Sequence, residues 1–265
     1  MATELEFDKY RVRGADYHYR QIDKKNIKSF NSFVLARYLK HIQFIINKIK
    51  NLLQNKKIKN IKILDVGCGD GVLLYLLKAT IDKEDINNIN FEFYGIDNSE
   101  EALNIARQKL IVGSYTKSNV YALNFPTDTF DIVISSDVIE HVQHPEKMLV
   151  EIKRVSKDGA GVIISTPVRY TEAPLDDMHV REFFPLEFVD LMKKYFFNCK
   201  LTQSHDMFTY LLYEKQFKIF NKKIQIFRYI FNCLTLFFNF NPFLDSKNGA
   251  GQFSYMFIES EVNKK

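Results

Sequence analysis

Residues 63–71 read Ile-Leu-Asp-Val-Gly-Cys-Gly-Asp-Gly and run directly into Val72-Leu73-Leu74-Tyr75-Leu76-Leu77. The apolar stretch from Ile61 to Val66 has the length of a buried strand, and the apolar spacing after Gly71 is that of a helix. Between them Gly67, Gly69 and Gly71 put backbone without Cβ atoms where the chain must turn sharply and let a ligand approach. A second apolar run, Phe91 to Ile96, ends on Asp97, whose two carboxylate oxygens can accept both hydroxyl protons of a ribose. Strand, glycine turn, helix, strand and terminal acid together describe a nucleoside site.

The glycine spacing separates two kinds of nucleotide. A dinucleotide turn has the form G-x-G-x-x-G, which counted from Gly67 requires glycine or alanine at 72, where this sequence has Val72. No Walker lysine follows Gly71. A G-x-G-x-G turn with neither feature suits a nucleoside that carries no pyrophosphate.

Three further stretches extend the pattern: Tyr94-Gly95-Ile96-Asp97, Phe130-Asp131-Ile132-Val133 through Glu140-His141-Val142, and Ile163-Ile164-Ser165-Thr166-Pro167. With Leu64 to Gly71 they resemble the class I S-adenosylmethionine-dependent methyltransferases, in particular the small-molecule branch of methyltransferase type 11 and ubiquinone-methyltransferase-like enzymes. The resemblance spans about residues 60–205 and the C-terminal strand. It implies an α/β, Rossmann-like fold: a seven-stranded, mostly parallel sheet with helices on both faces, whose last strand inserts antiparallel between the fifth and sixth. It also implies S-adenosyl-L-methionine as cofactor, S-adenosyl-L-homocysteine as product, and no metal.

Composition agrees with one elaborated α/β domain, since 265 residues at 46% hydrophobic content can bury one sizeable core. The net charge of +5 comes from lysines dispersed among 32 acidic residues, with no basic stripe of the kind nucleic acid requires. Cys68, Cys199 and Cys233 have neither C-x-x-C nor Cys/His spacing, so no zinc site or disulfide framework is expected. A reducing, cytoplasmic setting fits, and the acidic start of the sequence lacks the apolar region of a signal peptide.

The sequence divides into a lid segment and helix at 1–58, a cofactor-binding core at 59–208 plus 252–261, and an insertion at 209–251. The first part carries aromatic points at Phe7, Tyr10, Tyr17, His18 and Tyr19, then an amphipathic helical pattern over 29–54. Core strands are expected near 61–66, 91–96, 131–135, 161–165 and 199–205, with helices near 71–80, 99–110, 145–156 and 185–197. Gly159 is expected to cap the helix before it, and Pro185 to open the next. The insertion is basic, then aromatic from Phe227 to Leu244. Its uncharged stretch, Tyr229 to Leu244, is 16 residues long and contains Asn232, Asn239, Asn241 and Pro242, which disfavours a membrane span. A substrate-covering cap or dimer surface, an extra packing layer, and a peripheral membrane contact through 227–244 are the three readings, with the cap preferred. Monomer and homodimer both remain open.

The resemblance places cofactor contacts at Asp65, Gly67, Cys68 and Gly69 in the turn, Asp97 and Asn98 after the second strand, Asn119 and Val120 before the fourth, and Ser136 at its end. Asn119 departs from the family, which has an acidic residue there for the adenine amine; an amide oxygen can still accept that bond, and the plain alternative is a loop residue. Asp65 would hold the loop and the cofactor amino group, or act only as a structural carboxylate.

Methyl transfer to a hydroxyl needs alignment first and proton removal second. His18, His141 and His179 are the candidate bases, with His179 preferred because the loop from Thr171 to Phe183 follows the fifth strand at the ligand-binding edge of the sheet. In the resembled branch a similar His-x-Arg-x-Phe segment lines the acceptor pocket; a solvated histidine is the alternative. Arg169 and Arg181 bracket this loop and could grip a carboxylate or phosphate, or pair with Glu172, Asp176, Asp177 or Glu182. Tyr17 and His18 could form part of a lid. The expected substrate is a small metabolite, neutral or anionic, accepting on oxygen, first a bacterial surface-glycan precursor such as a sugar, a nucleotide-linked sugar or a phosphate or phosphoramidate group. The alternatives are a quinone or lipid-like acceptor and a non-catalytic nucleoside-binding protein; Val72 disfavours a nicotinamide dehydrogenase.

Overall fold

The computed structural model describes residues 9–55, 58–84, 86, 89–174, 176–219, 222–244 and 252–264. Phe7, Leu175 and the end of the insertion, 245–251, lie outside the described residues. Ahead of the sheet come α1 (Lys9–Arg13), α2 (Tyr17–Ile22) and the long α3 (Ser32–Asn55). The alternating part follows as β1 (Asn60–Val66), α4 (Val72–Ile81), β2 (Asn90–Asp97), α5 (Glu100–Lys109), β3 (Gly113–Lys117), β4 (Phe130–Ser136), α6 (Pro145–Val155), β5 (Ser156–Pro167), α7 (Pro185–Lys193) and β6 (Phe197–Asp206). Then come α8 (Met207–Glu214), a short hairpin of β7 (Phe217–Ile219) and β8 (Lys222–Ile224), α9 (Ile226–Phe237) and β9 (Phe253–Glu261).

Seven strands form one sheet in the order β3-β2-β1-β4-β5-β9-β6. All neighbours are parallel except β9, which runs antiparallel between β5 and β6. This is the arrangement that the sequence resemblance implied. Both faces are covered, so β1 reads as a continuous apolar run and not as an alternating one. Ile61 and Ile63 pack on one side with Ile45 and Ile49 of α3 and Leu74 of α4. Leu64 and Val66 pack on the other with Leu149 and Ile152 of α6 and Phe188 of α7.

Two local expectations are corrected. Gly159 does not cap α6, which ends at Val155; it lies inside β5 at φ +75°, because that strand starts at Ser156 and the register with β4 shifts between Phe130 and Ile132. The helix expected over 185–197 stops at Lys193, and β6 starts at Phe197. Pro185 does open α7.

The insertion packs its inner side on the start of α3. Asn232 of α9 donates to Phe30 O (2.7 Å) and accepts from Ser32 N (3.1 Å), while Asn241 donates to Ser32 O (2.8 Å). Tyr213 of α8 donates to Asn31 and Asn232, and Ala36, Tyr213 and Phe243 form a small separate core. Part of the insertion is therefore a packing layer. Among the described residues no helix is long and apolar enough to cross a membrane.

Candidate functional site

β1 delivers its glycine turn beside the end of β2 because the N–H groups of Gly67 and Cys68 both donate to Ile96 O at 2.8 Å. Gly67 (φ +76°) and Gly69 (φ +54°) adopt backbone that side chains rarely tolerate. Space enforces the same choice: a Cβ on Gly67 would lie 2.3 Å from Val138 Cγ2, and one on Gly69 would lie 1.7 Å from the hydroxyl oxygen of Tyr10. The loop after β4 and the N-terminal helix therefore close onto bare backbone.

Asp97 is buried at the end of β2, with Oδ2 accepting from Gly69 N (2.8 Å) and Oδ1 from Ser99 N (2.9 Å). An anchored carboxylate at the end of this strand has the chemistry to accept from ribose hydroxyls. Asp65 lies deeper, and burial followed by the charge of Asp97 pushes its carboxyl up to about 8. Burial likewise raises the Cys68 thiol, whose Sγ faces Gly69 O. Asn98 follows Asp97 half-buried. These residues fit a nucleoside with a cationic amino-acid tail: a bare-backbone cradle, an anchored ribose acceptor and a second acid behind it.

Asp70, the residue between the second and third glycines, was not among the expected site residues. It is fully buried, and its Oδ2 accepts from the backbone N–H groups of His18 (2.8 Å) and Tyr19 (3.2 Å). His18 Nδ1 lies 3.1 Å from Tyr10 Oη and 3.5 Å from Asp70 Oδ1, which puts His18 in the lid over the turn and not on an acceptor loop. Tyr17 sits at the rim, accepting from Arg13 Nη1 at 2.9 Å. Beneath these helices a cavity of about 20 Å³ remains between His18, Tyr38, Asp65, Gly67, Ser136 and Asp137, room for about one water. A wider concavity of about 630 Å³ lies by Phe91 and Phe93, toward the start of β2. That is the opposite edge of the sheet from the one where ligands bind in open α/β folds.

Beyond β4 a second unexpected residue enters. Arg37 of α3 sends Nη1 to within 2.7 Å of Asp137 Oδ2, and its guanidinium lies 5.3 Å from the Tyr255 ring centroid. His41, one turn on, meets Ser165 Oγ at 2.7 Å; burial first, then Arg37, pushes its imidazole down to about 3. Ser165 Oγ also meets Tyr255 Oη (3.0 Å) and donates to Ser136 Oγ (3.4 Å). A polar row thus runs between α3 and the sheet ends.

The loops after β4 and β5 bring His141 and His179 together, with ring centroids 5.0 Å apart. Glu140 O accepts from the N–H groups of Val180 and Arg181, and its side chain accepts from Thr166 Oγ1 at 3.1 Å. His141 Nδ1 donates to Met178 O (3.0 Å), and His179 Nδ1 to Glu182 Oε1 (2.7 Å). In a neutral ring this leaves the lone pair on Nε2, the tautomer a general base needs, and for His179 a carboxylate stands behind the ring to stabilise the imidazolium.

Two expected contacts are otherwise engaged. Asn119 is exposed, and its side-chain oxygen accepts from Tyr121 N (2.9 Å) in its own turn, with Val120 half-buried beside it. Arg169, a candidate for gripping an anion or pairing with the loop acids, donates to the carbonyls of Thr171 and Glu172 and lies over Phe184. Arg181 lies over the Phe183 ring.

A family model described as methyltransferase domain matches residues 57–216. An uncharacterized methyltransferase of Schizosaccharomyces pombe is 35% identical over 108 residues, 39% of this chain and 39% of that protein. A ubiquinone biosynthesis O-methyltransferase of Roseobacter denitrificans is 27% identical over 144 residues, 51% of this chain and 54% of that protein. The matched part spans about half or less of these curated relatives. Among solved structures, Haemonchus contortus phosphoethanolamine N-methyltransferase 2, in complex with phosphomonomethylethanolamine and S-adenosylhomocysteine, superposes with a TM-score of 0.59 at 15% identity, covering 96% of this chain and 59% of that one. A possible histamine N-methyltransferase from Thermotoga maritima gives 0.53 at 19% identity, covering 91% and 98%. At these identities the likeness is one of fold.

Proposed function

Because the chain belongs to the methyltransferase-domain family, we propose that it is an S-adenosyl-L-methionine-dependent methyltransferase that methylates an oxygen of a small metabolite. The observation that carries this reading is the buried Asp97 carboxylate, anchored by Gly69 N and Ser99 N at the end of β2 beside the glycine turn, where an acid suits the hydroxyls of a ribose. The cofactor would supply a methyl group on a sulfonium, already activated for displacement. Gly67 and Gly69 give its backbone cradle, Asp97 its ribose acceptor, and Asp65 a carboxylate for its amino group. On the acceptor side, His179 Nε2 takes the hydroxyl proton and Glu182 stabilises the resulting imidazolium. Arg181 holds an anionic group of the acceptor, and His141 flanks the same pocket.

The preferred acceptor is a sugar-like, anionic precursor of a bacterial surface glycan, a reading that rests on the His-x-Arg loop. A quinone or lipid-like acceptor is the second reading, favoured by relatives named as ubiquinone biosynthesis O-methyltransferases and by exposed aromatic residues of the insertion. The test is release of S-adenosylhomocysteine with a panel of nucleotide sugars, sugar phosphates and demethylated quinones. Turnover with one class chooses between the readings. Thermal stabilisation by NAD with none from S-adenosylmethionine or S-adenosylhomocysteine would overturn the assignment.

A further inference from the structure

Residues 215–244 contain Lys215, Lys218, Lys222, Lys223 and Arg228 and no aspartate or glutamate. Within that acid-free stretch α9 is amphipathic in the reverse of the usual sense. A surface helix turns its apolar stripe to the core and its polar face to water. Here Asn232 and Thr235 are the buried residues, with Asn232 bonded to Phe30 O, Ser32 N and Tyr213 Oη, while Tyr229, Ile230 and Phe237 face outward. Phe237 and Phe238 are 73% and 74% exposed, and Phe240 follows at 46%. Helix α8, which packs on α9, also carries exposed apolar side chains, Phe208 at 69% and Leu211 at 60%. Soluble monomers rarely gather exposed apolar side chains in this way.

The hairpin that joins the two helices identifies what covers this face. Lys218 of β7 stands directly opposite Lys223 of β8, and the three hairpin lysines, Lys218, Lys222 and Lys223, are exposed, as is Lys215 just before them. Like charges directly opposite destabilise a strand pair. A layer of negative charge outside the protein removes that repulsion. A second copy of this chain would not: symmetric pairing through the same face would set these lysines against one another, and the acid at the end of α8, Glu214, already faces Arg228 at 3.9 Å.

We propose that α9 and the β7–β8 hairpin dock this protein on an anionic phospholipid bilayer, with α9 lying in the interfacial plane. Phe237, Phe238 and Phe240 enter the boundary of the acyl chains, and Lys215, Lys218, Lys222 and Lys223 meet the headgroups. At 12 residues α9 is about 18 Å long, enough to lie in an interface and too short to span one. The inference is independent of which acceptor the enzyme methylates.

The test is flotation of the full chain with vesicles of phosphatidylcholine alone and of equal parts phosphatidylcholine and phosphatidylglycerol. Flotation is expected with the anionic vesicles only and is expected to weaken as salt is raised. The double variants Phe237→Ser/Phe238→Ser and Lys222→Glu/Lys223→Glu should each lower the bound fraction at limiting lipid by about tenfold. Their thermal stabilisation by S-adenosylhomocysteine should match the wild type, which separates lost docking from lost folding. Failure to float with anionic vesicles overturns the proposal, as does unchanged flotation of both variants. A wild-type dimer that the phenylalanine variant makes monomeric, with vesicle binding unaltered, would assign the face to self-association instead.

Discussion

Asp70 Oδ2 receives the backbone N–H of His18 at 2.8 Å, so a residue of the glycine turn itself fastens α2 over that turn. The bond couples α2 to the glycine turn through the backbone of α2.

Replacing Asp70 with Ala should therefore release the lid. It strips the acceptor from two buried N–H groups, those of His18 and Tyr19, at about 1–3 kcal/mol for each group left unsatisfied. Limited proteolysis should cut the variant before Gly71 faster than the wild type, and its Tm should fall. Equal cleavage rates would show that α1 and α2 are held by packing alone.

Asp97→Ala should weaken S-adenosylhomocysteine binding by about 1–3 kcal/mol, roughly 5- to 150-fold, through lost ribose bonds and a loosened Gly69 N–H. Titration calorimetry measures this directly. An unchanged dissociation constant would remove Asp97 from the ribose site.

The carboxyl of Asp65 gives a pH signature. Its folded-state value of about 8 lies above its ordinary 3.8, so the folded chain holds a proton that the unfolded chain has lost. The stability this contributes is complete below 3.8 and is lost as pH rises through about 8. Denaturant unfolding of the ligand-free protein should show stability declining across that window, and Asp65→Asn should flatten the decline. Identical slopes would place the proton elsewhere.

Arg37→Met should destabilise the fold by about 3 kcal/mol, the lower end for breaking a buried pair, because the side chains of Arg37 and Asp137 remain 13% and 14% exposed. Adding Asp137→Asn should restore part of the loss, and equilibrium unfolding of the single and double variants checks both.

Once an acceptor is known, the loop roles separate kinetically. His179→Ala and Glu182→Gln should lower kcat, whereas Arg181→Ala should chiefly raise KM for an anionic acceptor, with partial recovery in Arg181→Lys. Wild-type kinetics in all four would move attention to His141.

The sheet, the glycine turn and the Asp97 terminus were legible because each is written in a local pattern: a buried run, a spacing of glycines, an acid after a strand. β3 was not located, since Gly113–Lys117 is a short edge strand with Tyr115 as its one buried residue, too little alternation to stand out. Asp70 and Arg37 were missed for a different reason. Asp70 occupies the variable place of a G-x-G-x-G turn, and its meaning depends on a segment more than 50 residues away in sequence. Arg37 and His41 interrupt the apolar face of α3 one turn apart, a signal that was present but was read as part of an amphipathic helix. Gly159 misled because a glycine after a basic helix end suits a cap as well as an irregular strand start.

β9 has a consequence in time. Among the described strands of the sheet it comes last in sequence, yet it lies inside the sheet, and among them β6 pairs with β9 alone. While the ribosome is still making residues 207–252, β6 has no strand to bond to, and β5 presents an open edge beside it. The half of the sheet from β3 to β5 can assemble as it emerges, whereas the β6 side must wait for Phe253–Glu261 and then close on both neighbours at once. Nascent chains stalled before that strand would expose a template for non-native pairing.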